Sequence, residues 1–346
     1  MTLSGPNPDR FEMRLLVIGT GSIGERHLRV FQHLDRCDAI AFCETHPARR
    51  AEIAVRYGIP EAFAFVDLDT ALAKGTYDIA VIATPAPTHI GIGKRLADLG
   101  IHQMMEKPLS LSLDGVEEYA RLVAEKGLTV AVGYVHRAHP AVTGIREVIA
   151  SGRFGKVIEL NIATGQSFAQ MRPAYRDVYF AKPELGGGAI NDMITHMYNV
   201  GDWLAGPIRR LVTDAAHQAL EGVTVEDTVH TLTRHEDGAM GTYSLNLYQH
   251  PNEVLMTAVC ERGTLRADYA NQRWSWMTEP NGTWNHEPVE VPERDTIYRI
   301  QNAAFLDAVE GFGEVLCPLG DAIRTLHVNL ASHRSAAESN WQETLT

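Results

Sequence analysis

The chain has 346 residues, with 31 Lys and Arg against 43 Asp and Glu and a net charge of −12. That length exceeds one ordinary core and points to two domains. The acidic balance excludes a general binder of nucleic acid or anionic membrane, which needs a basic face. Cys37, Cys43, Cys260 and Cys317 lack C-x-x-C spacing, so neither a disulfide framework nor a structural zinc site is expected and a reducing, cytoplasmic setting fits.

Thr2 to Glu12 is polar, carries Pro6 and Pro8, and lacks the apolar centre of a signal peptide. Residues 1–12 are expected to be a disordered lead-in. An apolar run, Leu15 to Ile18, then stops at Gly19, and Gly21 and Gly24 follow before a helical pattern with Ile23, Val30, Phe31 and Leu34 on one face. Strand, glycine turn and helix form the context in which G-x-G-x-x-G signals a dinucleotide site. Gly19 turns the chain sharply, Gly21 lets a pyrophosphate approach the backbone, and Gly24 lets helix and strand pack closely. The phosphates then sit where Ser22 and Ile23 open the helix, at its positive end. The next strand, Ala39 to Cys43, ends at Glu44, at the usual spacing for an acid that accepts from a ribose 2′-OH. NAD is favoured; His46, Arg49 and Arg50 just beyond keep NADP open, because they are able to pair with a 2′-phosphate.

Pro47 opens a helix that Gly58 closes. A short strand (63–66), a helix (69–74), a near-continuous apolar strand (78–83) and the turn Thr84-Pro-Ala-Pro-Thr-His89 come next. A helix ending at Gly100, a strand (101–105), Glu106-Lys107-Pro108, a helix (113–126) and a strand (128–132) complete the alternation of a doubly wound parallel sheet. Ligands in such sheets bind beyond the carboxyl ends of the strands, where the glycine turn, Glu44, Pro85 and Lys107 fall. The boundary is placed at 133/134, between a dinucleotide domain (13–133) and a substrate-binding and oligomerisation domain (134–346). The second part opens with a helix (140–150) and a strand (156–162). A long irregular segment, Thr164 to Gly188, follows, rich in Phe168, Arg172, Tyr175, Arg176, Tyr179, Phe180 and Lys182; such loops tend to be functional. After Gly186-Gly187-Gly188 comes a helix (189–204). Four to six strands over 208–277 alternate polar and apolar residues, as in an open, mainly antiparallel sheet. Helices over 297–310 and 322–338 end the chain.

Asp192 and His196 are four apart on the expected helix and share a face. A histidine accepts protons near neutral pH, and a carboxylate beside it orients the ring and favours its charged form. An ordinary helix-face pair has the same spacing. No third and fourth ligand stands at a telling distance, so no metal is expected. Lys107, at a strand end, is placed to donate to a substrate oxygen and stabilise a developing alkoxide.

In combination and in order, Gly19-x-Gly-x-x-Gly-x-x-His27, Thr84-Pro-x-x-x-His89, Glu106-Lys-Pro108 and Gly-Gly-Gly-x-x-x-Asp192-x-x-x-His196 resemble the glucose–fructose oxidoreductase / inositol dehydrogenase (Gfo/Idh/MocA) family from about Met13 to the last helix. The resemblance implies a Rossmann domain, then an α+β domain whose open sheet supports a homodimer or homotetramer. It implies Lys107, Asp192 and His196 as the catalytic set. It also implies cofactor contacts from Gly19, Gly21, Ser22, Ile23, Gly24, Glu44, Arg49, Thr84, Pro85, His89, Glu106 and Lys107. Arg172, Tyr175, Arg176 and Tyr248 are substrate-contact candidates beside the catalytic three, and an Arg pair is able to hold a carboxylate or phosphate. The implied reaction moves a hydride between a carbinol of a sugar, sugar derivative or cyclitol and NAD(P), with His196 as base tuned by Asp192. The alternatives are a redox-neutral, NAD-dependent glycoside hydrolase, a dinucleotide-binding regulator without turnover, and a methyltransferase using the same glycine loop.

Overall fold

The computed structural model describes residues 13–290, 293 and 295–344; the expected lead-in at 1–12 lies outside them. The first unit alternates strand and helix: β1 (Arg14–Ile18), α1 (Ser22–Leu34), β2 (Ala39–Cys43), α2 (Pro47–Tyr57), β3 (Ala64–Phe65), α3 (Leu68–Lys74), β4 (Ile79–Ile82), α4 (His89–Asp98), β5 (His102–Met105), α5 (Val116–Glu125) and β6 (Val130–Val132). All neighbouring strands pair in parallel, in the order β3-β2-β1-β4-β5-β6. The order reverses direction beside β1, and that switch point opens a crevice at the carboxyl ends. β1 and β4 are apolar throughout their buried lengths because helices cover both sheet faces. Local chemistry sets several ends: Pro47 stands at the start of α2, and Gly58 closes it with φ of +62°.

The second unit begins with α6 (Pro140–Ala150) and β7 (Val157–Ser167). β7 runs further than the sequence indicates, so the irregular segment starts at Phe168, with a short helix α7 (Phe168–Met171) and single turns. The polar residues Thr164 and Gln166 disguise the strand's continuation. Then come α8 (Thr195–Ala205), β8 (Ile208–Ala216), β9 (Thr228–His235), β10 (Met240–Asn246), β11 (Tyr248–Cys260), β12 (Gly263–Asp268), β13 (Arg273–Met277), β14 (Asn285–Pro288), α9 (Thr296–Val309), α10 (Leu319–Glu338) and β15 (Gln342–Glu343). The sheet has nine strands in the order β14-β13-β12-β11-β7-β10-β9-β8-β15. It is antiparallel except where β7 and β10 run parallel.

One face of this sheet carries Leu160, Ile162, Tyr243, Leu245, Met256 and Ala267 into a core shared with α6 and α8. On β9 and β10 the opposite face leaves Leu232 and Met240 each 49% exposed. The last two long helices return to the first unit. Phe305 and Leu306 of α9 bury with Val17, Phe31 and Met104, and Leu319, Ala322 and Leu326 of α10 bury with Val130 and Tyr134. No helix among the described residues is long and apolar enough to cross a membrane.

Candidate active site

Gly19, Glu44, Glu106 and Gly133 directly follow the last residue of a parallel strand and Thr84 stands two past the end of β4, so they line one rim. Gly19 has φ of +84°, and a Cβ there would lie 2.8 Å from the Ala83 carbonyl oxygen. A Cβ on Gly24 would lie 1.9 Å from the Gly19 carbonyl oxygen, so only glycine lets α1 start this close to β1. Gly21 faces open space and precedes Ser22 and Ile23 with no side-chain cap, which leaves the helix start available to an anion. These three positions fit a dinucleotide diphosphate.

Glu44 accepts from Thr20 Oγ1 at 2.8 Å, Thr20 N–H at 3.2 Å and His46 N–H at 2.9 Å. Partial burial alone would raise its pKa; the hydrogen bonds from His46 and Thr20 bring it below the usual value. The cations that kept NADP open are engaged. Arg49 donates to the Thr20 carbonyl and pairs with Glu25 and Glu52, while Arg50 donates to the Glu44 carbonyl. His46 caps α2, accepting from Arg49 N–H.

His89 joins two turns of the rim. Its Nε2 lies 2.8 Å from the Thr84 carbonyl oxygen and its Nδ1 3.0 Å from that of Pro108. Thr88 Oγ1 donates to the Pro85 carbonyl and bonds Thr84 Oγ1, tightening the same loop. Glu106 fills a notch that exists because Gly133 has no side chain; a Cβ there would lie 2.7 Å from Glu106 Oε1. Asn302 of α9 donates to His27 Nδ1 at 3.1 Å, so His27 Nε2 carries the proton that reaches Glu106 Oε1 at 2.8 Å. Glu106 Oε2 accepts from Lys107 N–H. The lysine backbone is thus tied to both the glycine helix and the C-terminal helix.

Lys107 Nζ donates to Asp192 Oδ1 at 2.6 Å and to the Asp192 carbonyl at 2.7 Å. Tyr179 O–H donates to the same Oδ1 at 2.5 Å. Arg172 Nη1 stands 3.8 Å from Oδ2. Burial alone would neutralise both members of the pair. Instead Asp192 is held below, and Lys107 above, their ordinary values by mutual attraction, aided by Arg172 and Tyr179 respectively.

Asp192 does not hold the histidine ring, which corrects the expected pairing. The stretch Ile190–Ile194 is a π-helix in which Thr195 N–H reaches the Ile190 carbonyl, so one turn is wider than an α-turn. The ammonium of Lys107 and the hydroxyl of Tyr179 take the carboxylate. His196 lies instead against Tyr134, at 5.7 Å between ring centroids, and His136, at 4.9 Å. Its Nδ1 is buried without a hydrogen-bond partner among the described residues. Burial first, then the charges of Lys107, His136 and Arg172, hold His196 well below the usual imidazole range. It is therefore a neutral acceptor at physiological pH.

Three substrate-contact candidates are bonded to residues other than the catalytic three. Tyr175 is buried and donates to the Glu221 carbonyl at 2.6 Å, packed in an aromatic cluster with Phe168 and Phe180. Arg176 donates to the same carbonyl at 2.8 Å and lies over the Tyr175 ring. Both pin the loop. Tyr248 is 42% exposed and accepts from Thr228, with no contact to Asp192 or Lys107 among the described residues. The expected Arg pair is therefore a single arginine. Conversely, Tyr179, named above only as part of the irregular segment, joins the site, as do Tyr134 and His136, which were not singled out. Tyr298 of α9 joins as well, stacked edge-on against His27 and beneath Arg26. Their only local signal is an aromatic or imidazole side chain beside a motif.

Residues 13–134 match the family described as "Oxidoreductase family, NAD-binding Rossmann fold", and residues 142–266 match "GFO/IDH/MocA C-terminal domain". Among curated relatives, an uncharacterized oxidoreductase of Synechocystis is 27% identical over 62% of this chain and 60% of its own length. Inositol 2-dehydrogenase of Rhizobium meliloti is 24% identical over 94% of this chain and 97% of its own. Among solved structures, levoglucosan dehydrogenase in complex with NADH and levoglucosan superimposes with a TM-score of 0.83 at 19% identity, covering 96% of this chain and all of that one.

Proposed function

The chain belongs to the GFO/IDH/MocA oxidoreductase family, whose N-terminal domain is an NAD-binding Rossmann fold, and from that premise we propose that it oxidises a carbinol of a sugar, sugar derivative or cyclitol with NAD. The observation that carries this reading is the meeting of Lys107, Asp192 and neutral His196 at the rim where the glycine turn opens. Two of the three Lys107 N–H bonds go to Asp192, leaving one for a substrate oxygen. His196 takes the hydroxyl proton as that oxygen develops negative charge, and Lys107 stabilises the charge. Bound NAD supplies the acceptor for the carbinol hydride. Asp192 acts on the lysine, keeping it charged and aimed, rather than on the base. The names of the relatives, inositol 2-dehydrogenase and levoglucosan dehydrogenase, support a polyhydroxylated substrate. NAD is preferred to NADP because Glu44 keeps its charge at the end of β2 while Arg49 is spent on Glu25 and Glu52. Four free cysteines fit a cytoplasmic setting. The exposed apolar positions on the open sheet, Leu232 and Met240, fit a homo-oligomer built on that face.

The test is to incubate the purified protein with NAD and a panel of sugars, inositols, sugar acids and nucleotide sugars and to follow NADH. Net NADH supports a dehydrogenase; bond cleavage without net NADH means redox-neutral hydrolysis and overturns it. Glu44→Ala is expected to raise the Michaelis constant for NAD roughly 10-fold, through loss of about 1.5 kcal/mol of charge-assisted bonding, and to narrow the preference over NADP. An unchanged coenzyme ratio refutes the role of Glu44.

A further inference from the structure

Two buried residues outside the expected catalytic set reach the lysine through its neighbour. Glu106 is buried, and both of its carboxylate oxygens are engaged: Oε1 by His27 Nε2 at 2.8 Å and Oε2 by Lys107 N–H at 3.2 Å. His27 and Asn302 have no exposed surface. α9 grips the His27 ring twice, with Asn302 Nδ2 3.1 Å from Nδ1 and the Tyr298 ring edge-on at 5.9 Å between centroids. Which nitrogen of an imidazole carries the proton is set by the bond that the other makes. The Asn302 amide nitrogen only donates, so His27 Nδ1 accepts and Nε2 carries the proton. Glu106 accepts that same proton. The two partners therefore agree on one tautomer and hold the ring at both nitrogens. Removing either contact leaves a buried nitrogen or a buried carboxylate oxygen short of a partner.

We propose that His27 and Asn302 are positioning residues for Lys107. Asn302 fixes the His27 ring, His27 Nε2–H holds Glu106 in the notch at Gly133, and Glu106 holds the Lys107 backbone from which the ammonium reaches Asp192. This rests on the dehydrogenase reading and deepens it. Neither residue touches the reacting atoms; each acts through the next. Glu106, expected as a coenzyme contact, is in this arrangement a support of the lysine. The carboxyl-terminal helix α9 becomes part of the frame that aims the ammonium, although it follows every strand of the large sheet except β15.

The test has a kinetic and a spectroscopic arm, both on the whole chain. In the first, the panel compound that the wild type oxidises fastest is the substrate. His27→Leu is expected to lower kcat about 30-fold, the scale of a small misplacement of a reacting group, with Asn302→Leu following in the same direction. NADH affinity, read by fluorescence titration, is expected to stay within about 3-fold, because the glycine turn is untouched. His27→Gln, whose amide both accepts from Asn302 and donates to Glu106, is expected to recover most of kcat and covers the case in which the leucine variants do not fold. In a Lys107→Met background His27→Leu is expected to cost less than about 3-fold more, because a positioning residue has nothing left to position. In the second arm, histidine-selective nitrogen-15 spectra, with the His27 signals identified by their absence from His27→Gln, are expected to show Nε2 protonated and Nδ1 bare. Asn302→Asp, which turns the donor into an acceptor, is expected to add a proton at Nδ1. An undiminished kcat in both leucine variants, a His27→Gln variant as slow as His27→Leu, a loss fully multiplicative with Lys107→Met, or NADH affinity that falls with kcat overturns the proposal. So does a wild-type ring protonated at Nδ1, or a spectrum that Asn302→Asp leaves unchanged. If no compound is oxidised, the dehydrogenase reading falls, and the spectra alone decide whether Asn302, His27 and Glu106 form the chain.

Discussion

Lys107→Met is expected to lower kcat for the proposed carbinol oxidation by about 10³-fold, the scale of removing one preorganised donor from a developing oxyanion. The affinity for NAD stays within a few-fold, because the glycine turn and Glu44 do not contact the lysine side chain. The variant has a second effect that a mere loss of packing would not produce. The ammonium is one of the charges that hold His196 low. Without it the His196 pKa rises toward the ordinary imidazole value. A base must be unprotonated to act, so the loss of activity on acidification is expected at a higher pH in the variant than in the wild type. The acid limb of kcat/KM moves upward. A limb that stays put, or an NAD affinity that falls with kcat, refutes the assignment. Asp192, left buried without its ammonium, also costs the fold about 3–5 kcal/mol, so residual activity is to be compared at a temperature where the variant is folded.

His196→Ala is expected to lower kcat by more than ~100-fold, as loss of a general base would. It leaves dinucleotide affinity nearly intact, measured by NADH fluorescence titration. Equal loss of both means that the ring supports the coenzyme site instead of the proton transfer. Asp192→Asn separates the two roles differently. Because the carboxylate is bonded to Lys107 and not to His196, the loss in this variant is expected to follow that of Lys107→Met, and the double variant is expected to be much less than multiplicative. A fully multiplicative double variant shows that the two side chains act separately.

The elements that were readable in advance are those bounded by local chemistry. Pro47 and Gly58 delimit α2, Pro140 opens α6, and β2 ends where Cys43 gives way to Glu44. The sheet order and the glycine turn follow from the same local signals and from the handedness of strand–helix–strand units. The continuation of β7 was hidden because Thr164 and Gln166 replace apolar residues on its inner face. The parallel pairing of β7 with β10 joins segments far apart in the chain and leaves no mark in either. At the site, the family resemblance pointed to Lys107, Asp192 and His196, whereas the four-residue spacing suggested an Asp192–His196 pair and the structure bonds that carboxylate to Lys107 and Tyr179, partners remote in the chain or outside the helix. Tyr175 and Arg176 show the opposite limit. Their composition marks a functional loop, yet nothing local reveals that both donate to the Glu221 carbonyl more than forty positions on. His27 and Asn302 meet across 275 positions, with no local cue to their contact.

The return of the C-terminal helices to the coenzyme unit bears on how this polypeptide matures. When residues 13–132 leave the ribosome, the parallel sheet has all its strands but lacks the apolar cover that Phe305, Leu306 and Leu326 later provide. Until translation ends, that flank stays wet and prone to sticking to other nascent chains. The nucleotide-binding half is thus expected to be less stable when expressed alone than within the whole chain. Trimming the carboxyl end by a few dozen residues is a lesion of the coenzyme site, however remote it looks along the gene.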